Sequence, residues 1–108
     1  MSRIPAIDPQ SAPAHVKQLL EGVHKGLGMT PNLFRVAAQS PAALESLVAS
    51  FGAVSKGRFD ARTREAIALA VSEANGCDYC LSAHTALGKG AGLDERALAD
   101  ARLGTSDD

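Results

Sequence analysis

The amino-acid sequence predicts an all-α fold of about six helices in a single domain. Glycine and proline fall at the boundaries of the apolar segments, and no stretch shows sustained alternation of apolar and polar residues. Of the 108 residues 45% are hydrophobic, as in an ordinary folded protein, and this length accommodates one small domain at most. We therefore expect an extended N-terminal arm over residues 1–12 and one helical domain over residues 13–108.

The first half of the chain predicts three helices after the proline-rich arm. An amphipathic segment over residues 14–27 forms the first. Residues 30–31 (Thr-Pro) and 40–41 (Ser-Pro) each place a capping residue before a proline, which suits the first helical position. These signals predict a short helix over residues 31–39 and a longer one over residues 41–56.

The second half predicts three more helices and carries the most informative residues. Asp60 caps the first of them, and the segment Ala66–Val71 is apolar on all sides, which predicts a buried central helix. Asn75 and Gly76 end this helix, and Asp94 begins the last one. The predicted helices cover residues 61–75, 77–89 and 94–103, and together they form a core of about residues 61–103.

Composition and charge exclude several classes of function. The net charge is −1 and no stripe of Lys and Arg is present, so the sequence lacks the basic surface that proteins use to bind nucleic acid or anionic membranes. No apolar run approaches the ~18 residues of a membrane span, and the N-terminal residues lack the apolar stretch of a signal peptide. We expect a cytoplasmic protein.

The apolar residues are mostly Ala, Leu and Val, and aromatic residues make up only 4%. Because such side chains each bury a modest area, a small core made of them gains from packing between subunits. We therefore expect a homo-oligomer.

The only two cysteines belong to the pattern E-x11-C-x2-C-x3-H, formed by Glu65, Cys77, Cys80 and His84. Cys77 falls at or next to a helix N-terminus, where unpaired N–H groups favour a thiolate. Cys80 follows three residues later, within reach of a disulfide. Since helical side chains lean toward the N-terminus, His84 reaches back over Cys80, as a base for that thiol requires. The pattern predicts a redox site.

The rise per residue of an α-helix places Glu65 close to this site. It lies roughly 16 Å along its helix before the bend at Gly76, and His84 lies roughly 12 Å after that bend, at 1.5 Å per residue. If the two helices fold back on each other, the carboxylate can orient and charge-stabilise the imidazole as the third member of a Cys–His–acid relay. Glu73 is the competing carboxylate, but it lies near the bend, level with the cysteines.

Other interpretations of these residues stay open at the level of sequence. The cysteines could be structural, although a disulfide that closes so short a loop contributes only roughly 2 kcal/mol. A zinc site would use Cys77, Cys80 and His84 and would need a fourth ligand such as His15 or His24. Without the CxxC pair, Glu65 is a surface residue that pairs with a nearby arginine. Covalent haem is excluded because Leu81, not histidine, follows Cys80.

The segment from Glu65 to Leu93 resembles the carboxymuconolactone decarboxylase superfamily, specifically its alkylhydroperoxidase D-like (AhpD-like) branch. The full E-x11-C-x2-C-x3-H pattern on a helical chain carries the resemblance. In that branch the best-characterised members have a histidine just before the second cysteine, where this chain has Tyr79.

The resemblance implies a thiol-dependent peroxidase or disulfide oxidoreductase that reduces alkyl hydroperoxides. Cys80 would be the peroxidatic cysteine and Cys77 the resolving one, with His84 and Glu65 as the relay. The resemblance implies no metal, haem or other cofactor, and implies two partners, a hydroperoxide and an external thiol reductant. The alternatives are a decarboxylase-type lyase, whose known members lack the cysteine pair, and a non-catalytic helical assembly module.

Overall fold

The computed structural model describes residues 3–105, which form six α-helices and no strand. The predicted all-α class and the number of helices are confirmed. Residues 1–2 of the predicted arm and residues 106–108 of the predicted domain lie outside the described residues. The helices are α1 (Ala14–Leu27), α2 (Asn32–Ala37), α3 (Pro41–Ser55), α4 (Ala61–Ala74), α5 (Asp78–Gly90) and α6 (Glu95–Arg102). The chain divides after Lys56 into two compact units.

The first unit contains α1, α2 and α3, which share one apolar core. Its buried side chains come from all three helices and the α2–α3 turn; they are Val16, Leu20, Val23, Phe34, Ala38 and Leu44. The described part of the arm forms no helix, and its Ile7 packs against this core. Ile7 N–H donates to the Arg35 carbonyl at 3.0 Å, and Arg35 Nε donates to the Ile7 carbonyl at 2.8 Å. These two hydrogen bonds fasten the arm to α2.

The two Pro-containing start signals have different outcomes. The Ser40 hydroxyl accepts the Ala43 N–H, and Pro41 is the first residue of α3, as predicted. The expectation that Thr30 caps a helix that begins at Pro31 is wrong. Pro31 has ψ 147, which is extended backbone, so α2 begins one residue later and has no side-chain cap. The Thr30 hydroxyl lies instead 3.4 Å from His24 Nδ1.

The second unit contains α4, α5 and α6, with α4 packed against both of the others. Its buried core consists of Leu69 from α4, Leu93 from the α5–α6 loop, and Leu98 and Ala101 from α6. As predicted, the Asp60 carboxylate accepts the Thr63 N–H at 2.8 Å, and the Asp94 carboxylate accepts the Ala97 N–H at 2.8 Å. Both helices therefore begin where the sequence places their caps.

The prediction that α4 is buried on all sides is wrong within its own unit. Leu69 is fully buried, but Ile67 is 47% exposed and Val71 is 52% exposed. Within its unit, α4 packs against α5 and α6, so a full ring of apolar residues leaves part of the helix surface uncovered. Among the described residues, no helix combines the length and the apolar character needed to cross a membrane.

Candidate active site

The turn between α4 and α5 positions the cysteine pair. Gly76 has φ +63, in the left-handed region that glycine adopts at low cost. Its N–H donates to the Glu73 carbonyl, and the N–H of Cys77 donates to the Ser72 carbonyl, both at 3.1 Å. These two bonds form the Schellman motif that commonly ends a helix. The position of Cys77 is therefore fixed by the way α4 ends.

Cys77 is also the N-cap residue of α5. Its Sγ accepts the backbone N–H of Cys80 at 3.2 Å. The two cysteines are joined by a disulfide, their Cα atoms are 5.2 Å apart, and both residues are half-buried. Within the described residues there is no free cysteine. Cys77 therefore links the end of one helix to the start of the next, and its sulfur accepts one of the N–H groups that have no partner within the first turn of α5.

Glu65 and His84 make the contact that the helix spacing predicts. Glu65 Oε2 lies 2.7 Å from His84 Nδ1, and the side chains are 19% and 27% exposed. Because an ionised carboxylate only accepts hydrogen bonds, Nδ1 carries the proton and donates it. In the neutral imidazole this leaves a lone pair on Nε2. The carboxylate therefore selects the tautomer that has a basic Nε2.

Cys80 and His84 lie four residues apart on α5, and therefore on the same face of that helix. Both are half-buried. The hydrogen bond at Nδ1 leaves Nε2 as the ring nitrogen available to a thiol on this face. The cysteine pair at the start of α5 and the hydrogen-bonded pair of His84 and Glu65 therefore lie within two turns of the same helix.

Glu73 does not compete for His84, because it has a partner of its own. Its Oε2 accepts a hydrogen bond from Arg102 Nε of α6 at 2.8 Å.

The interpretation of Glu65 as a surface residue that pairs with a nearby arginine is wrong. Arg64 donates instead to the Phe59 carbonyl, and the Glu65 carboxylate contacts His84.

The ligands that a zinc site would require are engaged elsewhere. Cys77 and Cys80 are bonded to each other, and the Nδ1 of His84 is bonded to Glu65. His15 and His24 are exposed residues of α1; His15 lies 3.7 Å from Glu45. In the part of the chain that the structure describes, no three His, Cys, Asp or Glu side chains are grouped to hold a metal ion.

Three residues near this site were not predicted from the sequence. Ser72 is buried, and besides the bond to Cys77 its hydroxyl donates to the Ala68 carbonyl at 2.6 Å. Gly88 lies buried one turn beyond His84, and Arg102 holds Glu73. The sequence did contain a signal for Gly88, because a glycine in the interior of a predicted helix, four residues after a candidate histidine, often marks a close contact with a neighbouring helix. Ser72 and Arg102 carry no such signal. Tyr79, between the cysteines, is 50% exposed.

Comparison with known proteins agrees with this architecture. Residues 41–106 match the carboxymuconolactone decarboxylase family. Among solved structures, the chain is similar to the alkylhydroperoxidase AhpD core from Rhodospirillum rubrum, with 30% sequence identity and a TM-score of 0.85. That likeness covers 95% of this chain and 80% of the other. No functionally curated protein matches the sequence. The match over most of the chain and the shared helical fold place this protein in the carboxymuconolactone decarboxylase family, with an AhpD-like core.

Proposed function

We propose that the protein is a thiol-dependent peroxidase that reduces alkyl hydroperoxides through the Cys77–Cys80 couple. The observation that carries the proposal is the hydrogen bond from His84 Nδ1 to Glu65 Oε2, on the helix that begins with the cysteine pair. A structural disulfide needs no such pair beside it. The solved relative is an alkylhydroperoxidase core, which supports the same class of activity.

The chemistry begins with the reduced pair. His84 Nε2 takes the proton of Cys80, and the thiolate attacks the terminal oxygen of the hydroperoxide, which breaks the O–O bond. The alcohol leaves with the proton, and Cys80 becomes a sulfenic acid. The Cys77 thiol then attacks the Cys80 sulfur, and a disulfide and water form. Each cycle oxidises two thiols and reduces one hydroperoxide to an alcohol.

The cycle closes by thiol–disulfide exchange with an external dithiol reductant. Its thiolate attacks the disulfide, a mixed disulfide forms, and the second thiol releases the reduced cysteines and an oxidised reductant. The N–H of Cys80 that now contacts Cys77 Sγ stabilises negative charge on that sulfur when it is released. Such a cycle requires a compartment in which thiols are kept reduced, which favours the cytoplasm.

The test is a stoichiometric reaction of the reduced protein with cumene hydroperoxide. We expect two thiols lost and one alcohol formed for each hydroperoxide consumed. Cys77→Ser is the matched variant, because serine is a good N-cap residue and preserves the start of α5. It should stop at a Cys80 sulfenic acid that dimedone traps, whereas Cys80→Ser should not consume the hydroperoxide.

Two outcomes contradict the proposal. Thiols that survive excess hydroperoxide would leave a non-catalytic module as the better description. Decarboxylation of a carboxymuconolactone that persists after the thiols are alkylated would identify a lyase instead.

A further inference from the structure

Ser72 is the only buried residue with a polar side chain in the part of the chain that the structure describes. Its hydroxyl donates to the Ala68 carbonyl at 2.6 Å. That carbonyl lies four residues earlier in α4, so it already accepts the backbone N–H of Ser72 as part of the helix. The hydroxyl therefore completes no bond that the fold would otherwise lack. Because a hydrogen bond of this kind adds little stability, stability does not explain a serine at this buried position.

The end of α4 relates Ser72 to Cys77. In the Schellman motif, the N–H of the second residue after the helix cap donates to a carbonyl five residues earlier, and the side chains of these two residues often make contact. Here the two residues are Cys77 and Ser72, whose backbone hydrogen bond is 3.1 Å long. The contact is usually apolar, but in this chain the two positions hold a sulfur and a hydroxyl. The motif therefore points to a polar contact between Ser72 and Cys77.

The pairing of α4 with α5 supports the same direction for the Ser72 side chain. Ser72 follows Glu65 by seven residues, which is about two helical turns, so both lie on one face of α4. This face meets α5, because Glu65 contacts His84. Cys77 precedes His84 by seven residues, so the two helices run antiparallel and Ser72 lies level with Cys77. A buried hydroxyl on this face is therefore enclosed beside the disulfide.

We propose that Ser72 donates a hydrogen bond to the thiolate of Cys77 in the reduced protein. In the oxidised protein the Cys77 sulfur is part of the disulfide and is a weak acceptor, so the hydroxyl stays on the Ala68 carbonyl. A thiolate is charged and accepts a stronger hydrogen bond. Rotation of the hydroxyl toward it costs the fold little, because Ala68 keeps its helical partner. The N–H of Cys80, which contacts this sulfur, is the second donor.

The consequence for peroxide reduction rests on the proposed function, whereas the hydrogen bond itself does not. In that reaction the Cys77 thiolate attacks the sulfur of the Cys80 sulfenic acid. The S–S bond forms as the S–O bond breaks, and the hydroxide leaves as water with the proton that Cys77 has lost. By favouring the ionised form of Cys77, Ser72 accelerates this closing step. It does not act on the attack of Cys80 on the hydroperoxide.

The test measures Cys77 alone, in the Cys80→Ser variant, which keeps the backbone N–H at position 80. We expect the further change Ser72→Ala to slow alkylation by iodoacetamide at pH 7 by up to about tenfold, the effect of one hydrogen bond to a charged group. The two rates should converge at about pH 10.5, where an ordinary thiol is fully ionised. This convergence distinguishes stabilisation of the thiolate from a change in the access of the reagent.

Two controls test the premises. Ser55→Ala, also in the Cys80→Ser variant, removes a hydroxyl that donates to the Gly52 carbonyl at 2.7 Å in α3, and it should leave both rates unchanged. Thermal unfolding of the oxidised protein should give Ser72→Ala a melting temperature equal to or above that of the wild type, since alanine has the higher helix propensity. A large fall in melting temperature, or a failure to fold, would make Ser72 a structural residue and overturn the proposal.

Equal alkylation rates at pH 7 would overturn the proposal, and so would an equal reduction of the rate at both pH values. Trapping of the Cys80 sulfenic acid with dimedone, after one equivalent of cumene hydroperoxide, gives a separate result. With both cysteines present, Ser72→Ala should increase this trapping because the disulfide closes more slowly. If the alkylation rate changes and the trapping does not, Ser72 still donates to Cys77, and the closing step of the proposed function is what fails.

Discussion

The two cysteines of the pair have different surroundings. Cys77 Sγ accepts an N–H at the start of α5, whereas Cys80 shares its helix face with His84. A helix N-terminus stabilises an anion by about 0.3–1 kcal/mol at an exposed position. A histidine that takes the proton and remains as a cation beside the sulfur stabilises the thiolate much more strongly. In the proposed mechanism the larger effect therefore acts on Cys80.

We predict that Cys80 is the more reactive thiol. In the reduced protein near neutral pH, iodoacetamide should alkylate Cys80 before Cys77, because the proposed base, His84, lies on the same helix face as Cys80. Peptide mapping after short labelling times measures both rates, and His84→Ala should reduce the difference between them. Faster labelling of Cys77 would reverse the assigned roles.

Glu65 and His84 should contribute unequally to catalysis. We predict that His84→Ala slows oxidation by an organic hydroperoxide by about 10²–10⁴-fold, the usual cost of removing a general base. Glu65→Gln should slow it by less, since Glu65 acts on the thiol only through His84. Stopped-flow measurements on folded variants decide this. A wild-type rate in Glu65→Gln would make Glu65 a structural residue.

Among these residues, sequence reasoning worked best where spacing alone sets the geometry. The rise of two antiparallel helices brings Glu65 level with His84, and the structure has their hydrogen bond at 2.7 Å. It could not find Arg102, which holds the competing Glu73, because the two residues are 29 positions apart and meet only through packing of α6. Sequence reasoning also missed Ser72, because Ser72 contacts Cys77 through its backbone carbonyl, a group that every residue type has.

At the scale of elements, the helix boundaries follow from capping chemistry. Ser40, Asp60 and Asp94 all cap the helices that the sequence assigns to them. The start of α2 was displaced because a proline in an extended conformation can itself occupy the N-cap position. The left-handed glycine before Cys77 was predicted as a helix end. The observed hydrogen bonds were needed to show that Cys77 takes part both in the end of α4 and in the start of α5.

The cap of α4 should make stability depend on pH in the acid range. The backbone N–H of Thr63, together with its hydroxyl, hydrogen-bonds the Asp60 carboxylate and lowers the pKa of Asp60 below its usual value. A lowered pKa in the folded state means that the stabilisation is present above the unfolded-state pKa and is lost as the pH falls through the folded one. We predict that Asp60→Asn keeps the cap but lacks this part of the pH dependence.

Thermal unfolding between neutral pH and about pH 3 measures this effect, since ordinary aspartates titrate near pH 3.9. The difference in melting temperature between the wild type and Asp60→Asn should shift in favour of the variant as the pH falls. Glu21→Gln, a change at an exposed position of α1 outside the caps, is the comparison. Parallel curves for the wild type and Asp60→Asn would show that the cap does not titrate.

At the scale of the whole molecule, the second unit has apolar side chains on its surface that its own helices do not cover. Ile67 and Val71 lie four residues apart on α4, and each is about half exposed. Full burial of a side chain of this size contributes about 1.5–3 kcal/mol, so roughly half of that remains available for each. An open groove of about 670 Å³ between α4 and α6 adjoins Ile67. We expect this surface to form the interface between subunits.

We predict that the protein is a homo-oligomer and that the exposed apolar face of α4 is part of the interface. Light scattering at micromolar concentration should give a particle that is a multiple of the 11.1 kDa chain. Ile67→Glu should shift the particle toward the single chain, since burial of an unpaired carboxylate is costly. Ala99→Glu, at an exposed position of α6 away from that groove, should leave the mass unchanged. A wild-type particle of 11.1 kDa would contradict the prediction, and would mean that α4 exposes Ile67 and Val71 to water in the native state.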